Sequence, residues 1–288
     1  MSGLSPSHKA AEDLTHLTNR IRDEFGFTVH LCGEIEYSFK YDTALPEAFW
    51  LELLNSSAAE GVPLESIGRE KTRSPIIQQY ECRLAHQDPV AAAQSIEWTN
   101  IQINLLAKNY KIQILDIDIS NNHSVCSGLH WHLHLLNNEG NYCFFKQEDQ
   151  MSDPLRYTIG GLLATMPAFM PCFAPNEASY LRLNSGADHI PTTISWGGNN
   201  RSCAIRLPES VVPHRHIEHR VCGADADPYT AVWALLVGIH FGLNHQSDPG
   251  DQTFGDANRA EAGLAMLPLS PEAAEDARSQ ARWLKDYL

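Results

Sequence analysis

Alternation of apolar and polar side chains through residues 29–39 puts Glu34 and Glu36 on one face of a strand. Two carboxylates held side by side repel each other. Such a pair either takes up a proton or is kept ionised by bound cations, and an oxygen-rich set of this kind suits magnesium or manganese. A solvent-facing strand edge with charges at alternate positions would show the same pattern, so the pair alone leaves both readings open. His130, His132 and His134 recur at every second position and again share a face. Three imidazoles suggest zinc, yet side chains spread along one strand converge poorly on one small ion; one ligand with neighbours lining the cleft fits better. Glu218 and Arg220 repeat the alternation and, taken alone, form no more than an ion pair. With Glu70 and Glu81 added, the carboxylates and His130 have the make-up of a two-cation phosphoryl-transfer site.

The segments that carry these residues resemble, in order, those of the glutamine synthetase catalytic domain. Gly33-Glu34-Ile35-Glu36-Tyr37 is similar to that family's Glu-x-Glu strand, and Glu65, Glu70 and Gln78-Gln79-Tyr80-Glu81 to its next two acidic elements. Ser127-Gly128-Leu129-His130-Trp131-His132 resembles the family's Ser-Gly-Met-His-x-His segment. Ser179-Tyr180-Leu181-Arg182-Leu183, Asn200-Arg201 with Ile205-Arg206-Leu207-Pro208, and Ile217-Glu218-His219-Arg220 with Asp227-Pro228-Tyr229 resemble three further motifs. The resemblance covers roughly residues 15–245.

That resemblance implies an α+β fold, a curved and mainly antiparallel sheet backed by helices, with residues 1–26 as a lead-in helix and 27–288 as the catalytic domain. It implies one Mg2+ or Mn2+ held by Glu36, Glu70 and Glu81 and a second held by Glu34, His130 and Glu218. Glu65, His132, Arg201 and Arg206 would face ATP; Gly128, Arg182 and Arg220 would face the acid substrate; Arg201 and Arg220 would also sit at the transferred phosphate. Guanidinium suits these tasks because its planar fork donates paired hydrogen bonds to carboxylate or phosphate oxygens. The implied activity is an ATP-dependent ligase that joins glutamate or a related acid to ammonia or an amine through an acyl phosphate. A phosphotransferase using the same two-cation site, and a non-catalytic nucleotide-binding partner subunit, are the alternatives.

Departures from the family pattern concern the substrates. The small β-grasp domain that precedes the family's catalytic domain is expected to be missing, with another wall or a separate chain closing the site, and the carboxy-terminal helical region is expected to be short. Val125-Cys126 stands where the family carries an Asn-Gly pair on the amino-acid substrate. Asp188 occupies the loop position of the family's amine-deprotonating glutamate and is the candidate base. The Glu70 to Glu81 spacing is longer than usual.

Composition agrees. A net charge of −14 over 288 residues argues against nucleic acid or an anionic membrane as partner, leaving small molecules and a homo-oligomer or partner subunit. Seven cysteines without Cys-x-x-Cys spacing suit a reducing, cytoplasmic setting. The apolar run 229–243 is too short to span a bilayer and reads as a core helix. Periodicity and punctuation predict helices over 11–25, 45–59, 89–109, 154–170, 228–245 and 271–288. Strands are predicted over 28–39 and near Leu64, Gln78, Ile112, Leu129, Thr193, Ser202 and Ile217, with loops over 208–213 and 247–258.

Overall fold

The computed structural model describes residues 6–40, 45–70, 77–115, 117–118, 125–145, 150–187, 189–210 and 214–288. One sheet positions the chemistry. Its central strand, β1 (Thr28–Lys40), is flanked by β3 (Ile77–Leu84) and β7 (Leu129–Leu136). The sheet runs β2 (Leu64–Arg69), β3, β1, β7, β10 (Ile217–His219), β9 (Ile205–Arg206), β8 (Trp196–Gly197). Neighbours are antiparallel except β8 and β9. Where β7 stops pairing with β1 after Ile35, β4 (Gln113–Leu115) takes over opposite Ser38, Phe39 and Lys40. β5 (Ile117–Asp118) and β6 (Val125–Cys126) form a separate ribbon.

The apolar face of β1 and β7, Val29, Leu31, Ile35, Leu129, Trp131 and Leu133, is fully buried under helices. α1 (Pro6–Phe25) leads into β1 and stops at Gly26, whose φ of +73° and amide bond to the Arg22 carbonyl form a left-handed end that glycine adopts without strain. α2 is Glu47–Glu60. α3 (Pro89–Tyr110) opens with an Asp88 cap accepting from the Val90 and Ala91 amides and packs on β1 at Gly33, where a Cβ would lie 2.5 Å from Ile96. α4 (Asp153–Phe173) and α6 (Pro228–His245) meet through small residues: a Cβ on Gly161 would fall 2.2 Å from the Gly238 carbonyl oxygen, and one on Gly242 2.0 Å from that of Tyr157. Such contact lets the two backbones touch, so any larger residue would separate them.

The expected α+β architecture with a mainly antiparallel sheet is what the molecule has, and that sheet is open. Differences are local. α4 continues through Pro167 to Phe173, because Phe169, Met170 and Phe173 are buried and tertiary packing outweighs the lost amide bonds. The helix expected over 271–288 stops at Gln280 as α7 (Pro271–Gln280) and ends in a 3-10 turn, Arg282–Asp286. Thr193 makes only an isolated bridge to Met266, and the strands of that region are Trp196–Gly197 and Ile205–Arg206. A short helix absent from the predicted elements, α5 (Glu177–Leu183), carries Arg182. No helix among the described residues is long and apolar enough to cross a membrane.

Candidate active site

Strand register assembles the site, because side chains directly opposite in an antiparallel pair share a face and touch. Glu34 lies opposite Arg83 on β3 and His130 on β7; Glu36 lies opposite Glu81; Glu218 lies opposite His132 on one side and Arg206 on the other. Residues more than a hundred positions apart therefore meet on one polar face.

Glu34 Oε1 is 3.3 Å from His130 Nδ1, and Glu34 Oε2 is 3.2 Å from His132 Nε2. Glu218, 1% exposed, bonds Arg206 Nη1 through Oε2 at 2.8 Å and Arg220 Nη1 through Oε1, with His130 Nδ1 at 3.7 Å. Asn199 accepts from Arg206 Nε at 3.0 Å, and the Arg201 and His189 carbonyls accept from Arg220 Nε and Nη2. Burial works against the charge on Glu34 and Glu218, but the surrounding imidazoles, joined at Glu218 by Arg220 and Arg206, outweigh it. Glu34 is held below the ordinary carboxylate range and Glu218 at about 2.

Ligand atoms of Glu34, His132 and Glu218 all lie within 4.8 Å of one another. His132 Nε2 is buried, and Glu34 Oε2 lies 3.2 Å from it. Two ionised carboxylates and an imidazole nitrogen match the donor set of a divalent cation.

The neighbouring corner has the opposite character. Glu36 accepts from Gln79 Nε2 at 3.1 Å and from the Gly128 amide at 2.8 Å. Glu81, facing it, is pushed up to about 8 by burial, by the charge and hydrogen bond of Glu34, and by the charges of Glu36 and Glu70. Gly128 is where the pieces converge: a Cβ there would lie 2.8 Å from Arg182 Nη2, 3.0 Å from His130 Nε2 and 3.4 Å from Glu36 Oε2. Arg182 is buried, donates to the Val221 carbonyl at 3.0 Å, and borders a cavity of about 120 Å³ with Glu36, Tyr37, Asn100, Ser127 and Asp225. α5 is held by Asp225, which accepts from Ser179 Oγ at 2.5 Å and Asn176 Nδ2 at 3.3 Å.

Of the residues expected from the sequence, Glu34, Glu36, Glu81, Gly128, His130, His132, Arg182, Arg206, Glu218 and Arg220 are brought together here. Glu70 follows β2 as an exposed residue, its amide bonded to the Gln79 carbonyl, and acts on Glu81 through its charge. The Glu65 side chain is half exposed, 3.8 Å from Arg83 Nε. Arg201 is exposed and joins the site through its backbone carbonyl. Asp188 lies outside the described residues. His132, which the resemblance assigned to ATP, groups with Glu34 and Glu218 within 4.8 Å, while His130, which the resemblance assigned to the cation, lies 3.3 Å from Glu34 and 3.7 Å from Glu218. Sequence reasoning missed Arg83, 3.5 Å from Glu34 Oε2, and His216, 2.8 Å from His132 Nδ1. Alternation was a usable signal for Arg83, since Gln79, Glu81 and Arg83 share a face.

Residues 36–288 match the glutamine synthetase catalytic domain. The chain belongs to the glutamine synthetase family. It is 31% identical over 185 residues to the gamma-glutamylputrescine synthetase PuuA of Escherichia coli (strain K12), covering 64% of this chain and 39% of that protein. It is 26% identical over 225 residues to the glutamine synthetase of Halobacterium salinarum, covering 75% of this chain and 48% of that one. The chain thus spans less than half the length of these two glutamine synthetase relatives. Among solved structures, the GmaS/ADP complex superposes with a TM-score of 0.81 at 21% identity, over 96% of this chain and 69% of that one. A further glutamine synthase homologue gives 0.78 at 22% identity, over 97% and 67%. These likenesses establish the shared fold.

Proposed function

We propose that this member of the glutamine synthetase family is an ATP-dependent ligase that joins a glutamate-like acid to ammonia or a small amine through an acyl phosphate. The observation that carries the reading is the convergence of Glu34, His132, Glu218, Arg206 and Arg220 on one buried patch beside the Arg182 corner. The kinship with a gamma-glutamylputrescine synthetase supports an amine among the acceptors.

Glu34, Glu218 and an imidazole of His130 or His132 would hold one cation, and Glu36 and Glu81, with Glu70, the other. Magnesium or manganese there would supply positive charge to the nucleotide phosphates. An oxygen of the substrate carboxylate attacks the γ-phosphorus, the bond to ADP breaks, and attack of the amine nitrogen on the acyl carbon then expels phosphate. Arg182 is the proposed clamp for a carboxylate of the acid, with the Gly128 amide and Glu36 alongside. Arg206 and Arg220 are held rigidly by Glu218 and by carbonyls, so they offer charge to the moving phosphoryl group without reorganising. Arg201 and Glu65, both exposed, are the proposed contacts to ATP, and Asp188 is the proposed base for the amine proton.

The test is ADP formation with Mg2+ or Mn2+ across a panel of acids, each with and without ammonia or amines. ADP release that requires acid and amine together supports ligation. A stable phosphorylated acid formed without any amine would replace the ligase by a phosphotransferase, and equal, negligible turnover by wild type and Glu34→Ala would remove catalysis altogether.

A further inference from the structure

We propose, on the ATP-dependent reading above, that Arg83 is a further nucleotide-binding residue: its guanidinium pairs with the phosphates that stay on ADP, on the side of the cation corner away from Arg206 and Arg220.

Register puts Arg83 there. It shares a face of β3 with Gln79 and Glu81, and lies opposite Glu34 on β1 and Ser66 on β2. The β2 register shifts between Leu64 and Ser66, so Glu65 is the extra residue of a bulge, a device that re-aims a side chain. Glu65, the proposed ATP contact, thereby comes within 3.8 Å of Arg83 Nε. Glu34 Oε2 is shared, 3.5 Å from Arg83 Nη1 and 3.2 Å from His132 Nε2. The strand order β3, β1, β7, β10, β9 sets Arg83 at one end of the row, with Arg220 and Arg206 at the other. β3 and β10 are three strand spacings apart, roughly 14 Å, a span for a polyphosphate chain rather than for one phosphoryl group.

The arginines also differ in how firmly they are held. Glu218 takes Arg206 Nη1 at 2.8 Å and Arg220 Nη1, and Asn199 and two backbone carbonyls take further donors. The contacts of Arg83, at 3.5 and 3.8 Å, are longer than the about 2.7–2.9 Å of a tight charge-assisted bond, and its side chain is 30% exposed. A cation on Glu34 would take over the carboxylate that Arg83 leans on, leaving it the half-exposed Glu65. Burial holds His86 and His216 below the ordinary imidazole range, and the charge of Arg83 adds to that, so positive charge already reaches past the carboxylates. An anion answers such a charge, and the planar fork fits two oxygens of a phosphate.

ADP binding with Mg2+, by equilibrium dialysis, and binding of Mn2+ alone, by the electron paramagnetic resonance signal of free Mn2+, are to be compared in wild type, Arg83→Met and Arg83→Lys. Arg83→Met is expected to weaken ADP binding about tenfold or more. Mn2+ alone should bind it at least as tightly as wild type, because a like charge beside Glu34 has gone. Arg83→Lys keeps the charge and loses the fork, and is expected to bind ADP severalfold more weakly than wild type. Arg83→Met binding ADP as wild type does, ADP and Mn2+ weakened alike, or Arg83→Lys as tight as wild type would each overturn the proposal, the second by making Arg83 a support for Glu34. Arg83→Lys decides even if Arg83→Met fails to fold. Wild type that binds no ADP would be a different result, removing the nucleotide reading itself and this proposal with it.

Discussion

Two corners of one cleft solve the problem of crowded carboxylates in opposite ways. Around Glu218 each carboxylate oxygen meets an arginine, and His130 and His132 stand close to Glu34, so the anions are compensated within the protein. Around Glu36 the cross-strand neighbour is another carboxylate, Glu81, and the nearest help is an amide from Gln79 and one from Gly128. The first corner is organised by its own charges. The second is left in deficit of positive charge, the condition a bound cation relieves.

The sharpest break of this contrast is Glu218→Ala. It strands Arg206 and Arg220, whose side chains are 13% and 6% exposed, and the expected cost is about 3–5 kcal/mol of stability in denaturant titration, with loss of turnover. A variant as stable as wild type would show that the arginines do not depend on Glu218.

Acidity probes the imidazoles His86, His134 and His216 beside the cleft and His219 on the apolar face of the sheet, where its ring packs against Phe173. Burial, reinforced by neighbouring charges, holds His86 at about 3, His134 at about 2, His216 at about 4 and His219 at about 3, all below the ordinary imidazole range. As pH falls through that range the unfolded chain takes up protons that the folded protein refuses, so stability drops. Glu81 has the opposite sign: held at about 8, it keeps a proton that the unfolded chain has lost, and its contribution fades as pH rises toward 8. The histidines outnumber it, and near pH 5 unfolding is expected to take up roughly two to three protons, a loss of about 3 kcal/mol per pH unit. Denaturant midpoints measured across that range test the sign.

Glu81→Gln separates the two corners directly. Gln mimics the protonated carboxyl that Glu81 already carries below about pH 8, so the metal-free protein should melt no lower than wild type, while Mn2+ affinity, which needs the carboxylate, falls about 10–100-fold. Lower melting with unchanged Mn2+ binding would make Glu81 a structural residue. The smallest effect is expected at Arg83→Met: its contacts to Glu34 at 3.5 Å and Glu65 at 3.8 Å are partly solvated, and stability should shift by less than about 1 kcal/mol.

Much of this was legible before any coordinates. Alternation put Glu34 with Glu36, His130 with His132, and Glu218 with Arg220 on common faces, and the strands carry them so. The helices expected to open at residues 89, 228 and 271 do so, behind caps supplied by Asp88, Asp227 and Ser270. Less was legible where packing overrules local preference, as in α4 running through Pro167, or where seven residues make a helix too short for periodicity to show, as in α5.

What the sequence determined by itself is which residues share a face, because the two-residue period of a strand is a local property of the backbone. It also marked the family, through motifs whose order needs no coordinates. Only the tertiary structure decided the register: that Glu36 faces Glu81 while Glu34 faces His130, that Glu218 comes beside both His130 and His132, and that His216 stands behind His132. Register is a relation between strands separated by scores of residues, set by how whole faces pack, and no local pattern contains it.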